Sequence, residues 1–264
     1  MEDTTNGTDA ARAATWAQVP VRDRALRHSV VGHVMAAVQA GHLTPGERIH
    51  ETSLARALDV SLSPVREALF RLADQGILEH RPRRGFYVKM FDEKETRDVY
   101  TFRVLLEGFA ARQLAERWAG GELDESVFER LVADLDDGGR AALAGDRRGV
   151  AAHNARFHDR LVHSADNWLL DRSWGLLAPA EWLLVTTWTW HDEPLLEPEA
   201  RDWIDRHRRL LDALRAGDGE AAEREAAAHV REAGVENVRR RFRSGDGAQG
   251  RRPKRSAQGN RFWG

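Results

Sequence analysis

Cysteine is absent from the 264 residues. That removes disulfides and thiolate metal ligands together, and fits a chain kept in a reducing compartment, here expected to be the cytoplasm. No stretch approaches the roughly 18 unbroken apolar residues of a membrane span, so no membrane partner is expected. The opening Met1-Glu2-Asp3-Thr4-Thr5-Asn6 is acidic and polar, unlike a secretory signal. Net charge is nearly missing too, at −2, but only in sum. Residues 20–91 hold 11 Lys/Arg against 7 Asp/Glu, residues 92–242 hold 22 against 31, and residues 243–264 hold 6 against 1. A basic segment ahead of an acidic one points to a nucleic-acid-binding module joined to one that need not touch nucleic acid.

Four segments follow from composition and periodicity. Residues 1–17 are small and polar, which predicts a disordered arm, and residues 243–264 read as a disordered basic tail. Residues 18–90 begin with a helix over Asp23 to Ala40, closed by Gly41 and a turn at Thr44-Pro45-Gly46. A short extended piece at Glu47-Arg48-Ile49 and a second helix over Thr52 to Leu58 come next. In the stretch from Ser61 to Leu72, Val65, Ala68, Leu69 and Leu72 fall at the spacing of a buried helical stripe, and Arg66 projects from another face. Ser63 followed by Pro64 reads as a helix start. Beyond Gly76, Ile77 to His80 and Phe86 to Val88 read as strands flanking the basic turn Arg81-Pro82-Arg83-Arg84-Gly85. Three helices and a basic-tipped hairpin make a winged helix-turn-helix, which would place its second helix-turn-helix helix in a major groove and its wing on the backbone.

These residues resemble a known family. Ile49-x-Glu51-x-x-Leu54-Ala55, Ser61-x-Ser63-Pro64-Val65-Arg66-Glu67-Ala68-Leu69 and Pro82-Arg83-Arg84-Gly85-Phe86 are similar to the DNA-binding domain of GntR-family bacterial transcription regulators. The resemblance implies that Ser61, Leu62, Ser63 and Arg66, assisted by Arg81, Arg83 and Arg84, form the DNA-binding surface. Asp59 stands where the family has a turn glycine, Leu62 where it has a basic residue and Phe70 where it often has Arg.

Residues 91–242 carry no strand pattern and read as an all-helical bundle of six or seven helices, so the fold class is mainly α. The first of these, Glu93 to Trp118, is expected to bury Val99, Phe102, Leu106, Phe109, Ala110 and Leu114 along one side. A helix over Leu169 to Trp188 carries Gly175 and Pro179, where a kink or break is expected. Asn154 and His158 are one turn apart on one helix; His207 and His229 share apolar stripes on two others. Three imidazoles and an amide oxygen suit Zn²⁺ or another first-row divalent ion such as Ni²⁺, although a lone helical histidine more often serves packing. The spacing Arg103-x-x-x-Glu107, Asn154-x-x-Phe157-His158-x-x-Leu161 and His207-x-x-Leu210 through Ala222 to His229 resembles the FCD effector domain of one GntR subfamily. That resemblance implies metal ligation by Asn154, His158, His207 and His229. Arg103 would either clamp an effector carboxylate or pair with Glu107 on its own helix.

No Glu stands beside these histidines in a His-Glu-x-x-His arrangement that would supply a general base, which argues against an enzyme. The expected function is a ligand-responsive transcription regulator, a repressor, that binds a palindromic double-stranded operator as a homodimer and senses a small organic acid through a metal in its helical domain. Two other readings stay open at this point: a metal-dependent hydrolase or lyase tethered to DNA, and the same regulator with a metal-free acyl-ligand pocket.

Overall fold

The computed structural model describes residues 29–188 and 196–242. The expected arm and tail, the start of the first helix and the loop at Trp190 to Pro194 lie outside these. The chain divides into two compact units between Met90 and Phe91.

In the first unit, helix α1 (Val30–Gln39) opens on a cap in which the Ser29 side chain accepts the Gly32 N–H. Strand β1 (Arg48–Ile49), helix α2 (Glu51–Leu58), helix α3 (Leu62–Asp74) and the hairpin β2 (Leu78–Arg81) and β3 (Gly85–Val88) follow. The three strands form one antiparallel sheet in the order β1-β3-β2, with Leu78 opposite Val88 and Arg48 opposite Tyr87. Val34, Val38, Ile49, Leu54, Val65, Ala68, Leu69, Leu72 and Phe86 are in the core, and these include the stripe read on α3. The start of α3 needs correction. The helix begins at Leu62 with Ser61 in the extended cap position, so Ser63 lies inside the first turn. Pro64 is still tolerated there, because the first turn's N–H groups have no helical partner to lose. Asp59, at the turn between α2 and α3, adopts φ 52, the left-handed conformation for which glycine is the usual residue.

The second unit holds six helices among the described residues: α4 (Glu93–Ala119), α5 (Ser126–Leu143), α6 (Arg147–Ser164), α7 (Trp168–Trp188), α8 (Glu197–Arg215) and α9 (Gly219–Phe242). A reciprocal capping box opens α4: Asp92 accepts the Glu95 N–H and Glu95 accepts the Asp92 N–H, satisfying two otherwise orphaned donors. Phe128, Leu131, Phe157, Leu161, Leu210 and Leu214 close the core against Ala111, Leu114, Ala222 and Ala226. Small residues where α4 and α9 meet let these two long helices pack along their lengths. Helix α7 runs unbroken through Gly175 and Pro179, so of the expected kink or break the break does not occur.

The buried face of α4 differs from expectation. Ala110 and Leu114 are buried, but Phe102 and Phe109 are exposed, as is Leu105 at 63 %. The face turned inward carries Tyr100, Arg103 and Glu107. Apolar periodicity misleads here because α4 has two apolar faces, and the one that goes inward is the one whose charges find partners.

Candidate functional site

Each unit holds one set of candidate residues. In the first, Ser61, Leu62, Ser63 and Arg66 stand exposed along the start of α3. Arg66 is held in place: its Nε donates to Glu51 Oε2 of α2 at 2.6 Å while its side chain stays 60 % accessible. A guanidinium braced on one edge keeps its remaining N–H groups aimed outward, in the fork that matches a guanine edge or a phosphate. Arg83 and Arg84 are exposed at the hairpin tip, with Arg83 at φ 62. Arg81 is turned back instead, pairing with Glu79 at 2.8 Å and lying over the Tyr87 ring. Phe70 closes a ring triangle with His80 and Phe86, tying α3 to the hairpin.

In the second unit, α6, α8 and α9 bring together Asn154, His158, His207 and His229. All three histidines are buried, and one nitrogen from each lies within 4.8 Å of the others. His158 Nε2 is 3.2 Å from His229 Nε2, and His207 Nε2 is 3.1 Å from Asn154 Oδ1. Burial is the main cause that holds His207 and His229 well below the usual imidazole range, so both are neutral.

The neutral form creates a conflict at His207. Its Nδ1 faces the Trp203 carbonyl at 2.8 Å and its Nε2 faces Asn154 Oδ1. The Trp203 indole N–H, a donor only, points at that same Asn154 atom at 3.3 Å, so the oxygen is correctly placed. A neutral imidazole has one N–H and cannot donate to both acceptors. One contact therefore sets lone pair against lone pair, an arrangement that a cation between them resolves. With metal–ligand distances near 2.1 Å, adjacent donors stand about 3.0 Å apart in an octahedral site and about 3.4 Å in a tetrahedral one. The observed 3.1 and 3.2 Å fall between these values. The donor set fits a first-row divalent ion.

Behind the cluster lies a carboxylate that the sequence did not point to. Glu107 Oε2 sits 2.5 Å from His158 Nδ1. Glu107 is not part of a His-Glu-x-x-His arrangement: it comes from α4, backs the ring and does not face its open nitrogen. It orients the imidazole as outer partners of metal-bound histidines do. Although burial would raise the Glu107 carboxyl, Arg103 and His158 pull it down to about 2. Arg103 donates Nε to Glu107 at 2.6 Å and Nη1 to Glu181 of α7 at 3.2 Å, all three nearly inaccessible. Of the two alternatives for Arg103, the intrahelical pair forms; the residue also lines the cavity over the histidines.

That cavity measures about 150 Å³. Its wall includes Tyr100, Val150 and Trp203, and its far end carries Glu199, Arg206 and Glu236. The indole on the wall is Trp203, whose ring lies 4.1 Å from that of His207. Trp203 and His207 share the i, i+4 spacing of one helix face, a legible signal. Glu181 had one as well, as a lone acid in the apolar run Leu176 to Val185.

Comparison with known proteins gives concordant results. Residues 26–88 match the model of bacterial regulatory proteins of the gntR family, and residues 98–232 match the FCD domain. A protein of Paenarthrobacter nicotinovorans named "Probable D-xylose utilization operon transcriptional repressor" is 32 % identical over 197 residues, covering 75 % of this chain and 82 % of that one. The regulator McbR of Escherichia coli K12 is 28 % identical over 68 % of this chain and 78 % of its own. The solved structure of E. coli McbR/YncC superimposes with TM-score 0.67 at 23 % identity, over 81 % of this chain and 98 % of that one. A GntR regulator from Rhodococcus sp. RHA1 gives 0.64 at 24 %, over 79 % and 95 %.

Proposed function

Since the chain belongs to the GntR family of bacterial transcription regulators, with an FCD domain behind its winged helix, we propose that it is a metal-dependent sensor of a small carboxylate that represses from a palindromic operator as a homodimer. Its domains and relatives are those of regulators, not enzymes.

One observation carries the sensing half of this reading: His207 set between two acceptor oxygens, with His158, His229 and Asn154 around it. Asn154, His158, His207 and His229 would hold a first-row divalent ion, with Zn²⁺ favoured by three imidazoles. The ion would supply a Lewis-acidic anchor for a carboxylate. Glu107 keeps His158 turned toward the cluster, and Arg103, neutralised by Glu107 and Glu181, closes the wall. Asn154 offers a neutral oxygen, which leaves more positive charge for an anionic ligand than an aspartate would. A metal-free acyl pocket leaves the lone-pair conflict at His207 unresolved.

The DNA half rests on Arg66 braced by Glu51 and on the exposed Arg83 and Arg84. Two recognition helices in a dimer would read half-sites about one helical turn apart. Pairing of two copies is supported by the stripe Phe102, Leu105 and Phe109 on α4, apolar yet exposed. The ligand shifts operator occupancy only if it binds the DNA-competent and incompetent states unequally.

A crossed pair of variants tests the reading, with metal content read by elemental analysis and operator binding by titration against genomic fragments. Arg66→Ala should lose about 5- to 150-fold in specific affinity, the cost of about 1–3 kcal/mol for a bidentate base contact, and keep its metal. His158→Ala should lose the metal, keep its helix content and bind the operator without response to carboxylates. Wild-type operator affinity in Arg66→Ala, or a metal-free wild type, refutes the corresponding half.

A further inference from the structure

Helix α3 begins on an apolar side chain that the core does not take. Leu62 is its first residue, flanked by the exposed Ser61 and Ser63, and stays 37 % exposed. Val60, in the turn just before it, is exposed as well. Val65, Ala68, Leu69 and Leu72 are the residues of α3 that the unit buries. Arg66 follows Leu62 by one turn, its Nε fixed on Glu51 Oε2 at 2.6 Å and its side chain accessible. A single exposed leucine on an ordinary surface carries no meaning. Beside a braced, outward-facing guanidinium in a module that matches bacterial DNA-binding regulators, it has a restricted set of partners.

That restriction comes from the chemistry of the duplex. Phosphate oxygens reward donors and cations, which the two serines and Arg66 supply and Leu62 does not. In the major groove the apolar group on display is the C5-methyl of thymine. Against a carbonyl, an amine or a ring nitrogen, the leucine would strip away water and return no hydrogen bond. Against the methyl it removes apolar surface from water on both sides.

Spacing locates the base. Leu62 and Arg66 stand at i and i+4, which sets their side chains about 6 Å apart on the helix surface. Base pairs rise about 3.4 Å each, so a helix lying along the groove puts the two side chains about two base pairs apart. We infer that Leu62 selects a thymine through its methyl group, about two base pairs from the base that Arg66 engages; this rests on the DNA docking proposed above and adds the base that the helix start reads.

The test uses the full chain and an operator selected by it from random duplexes. Each thymine is replaced in turn by deoxyuridine, which removes only the methyl group, and binding is titrated at one fixed salt concentration. At one position of a half-site the replacement should weaken wild-type binding by about 4-fold, and by about 15-fold when made in both half-sites, the effect of burying one methyl group at each. Leu62→Ala alters an exposed side chain, so helix content should be unchanged, and it should bind the thymine and uracil operators equally. If no thymine is sensitive to loss of its methyl, or if Leu62→Ala remains as sensitive as the wild type, the inference is overturned and docking through Arg66 stands. A chain that selects no operator overturns the docking as well.

Discussion

At the scale of single residues, two positions act through backbone or shape and not through chemistry. Asp59 occupies the left-handed conformation between α2 and α3, which costs a residue with a Cβ about 1 kcal/mol or more, less for Asp than for most. Asp59→Gly should therefore raise the stability of the first unit by about 0.5–1 kcal/mol in denaturant unfolding, while Asp59→Val lowers it. Gly138 of α5 is the second. A Cβ there would collide with the Trp203 ring and crowd His153, and Trp203 carries the N–H that fixes Asn154. Gly138→Ala should weaken metal binding by about 10-fold, the scale seen when outer partners of metal ligands are removed, although it touches no ligand. Unchanged metal affinity would show that Trp203 has room to shift. The residues of the histidine cluster were legible in the sequence through their spacing; Gly138 was not, because what it avoids lies 65 positions away in the chain.

At the scale of elements, α4 explains where sequence reading succeeds and fails. The recognition helix was read with its buried stripe intact because it is short and has one apolar face. Only its first residue was misplaced, since Ser-Pro marks a first turn without saying which position each takes. Helix α4 packs along its length against α9, so both of its sides looked burial-competent. The outcome turned on Arg103 and Glu107, whose inward placement depends on His158 and Glu181 from α6 and α7. Such long-range pairing leaves no local mark beyond the i, i+4 spacing. The face left outside makes its own prediction. Leu105→Glu should convert a dimer to a monomer in sedimentation or light scattering, with helix content kept, because Leu105 contributes nothing to the core of its own chain. A dimer that survives Leu105→Glu and Phe109→Glu together would place the pairing elsewhere.

At the scale of the whole molecule, the uneven charge noted at the outset falls along the structural division. The basic stretch is the winged helix and the acidic one is the bundle. DNA affinity should then depend on salt through the first unit alone. Replacing Arg83 and Arg84 by Ala should reduce the slope of log affinity against log salt by about one for each phosphate that is no longer neutralised, and leave the response to carboxylates unchanged. If the variant instead loses sequence preference at constant slope, these side chains read bases. Arg81, turned back onto Glu79 and Tyr87, should contribute little to either quantity.

The stacking of Trp203 on His207, 4.1 Å between ring centroids, has a photophysical consequence. An indole this close to a metal-bound imidazole lies within reach of short-range electron transfer, so an open-shell ion such as Cu²⁺ or Ni²⁺ would extinguish its emission, while closed-shell Zn²⁺ would leave it bright. The drop in emission on loading therefore distinguishes an open-shell from a closed-shell ion in an untagged sample. A ligand that slides along the cavity wall would shift the colour of the same band, so one chromophore already in the fold distinguishes the two arrivals.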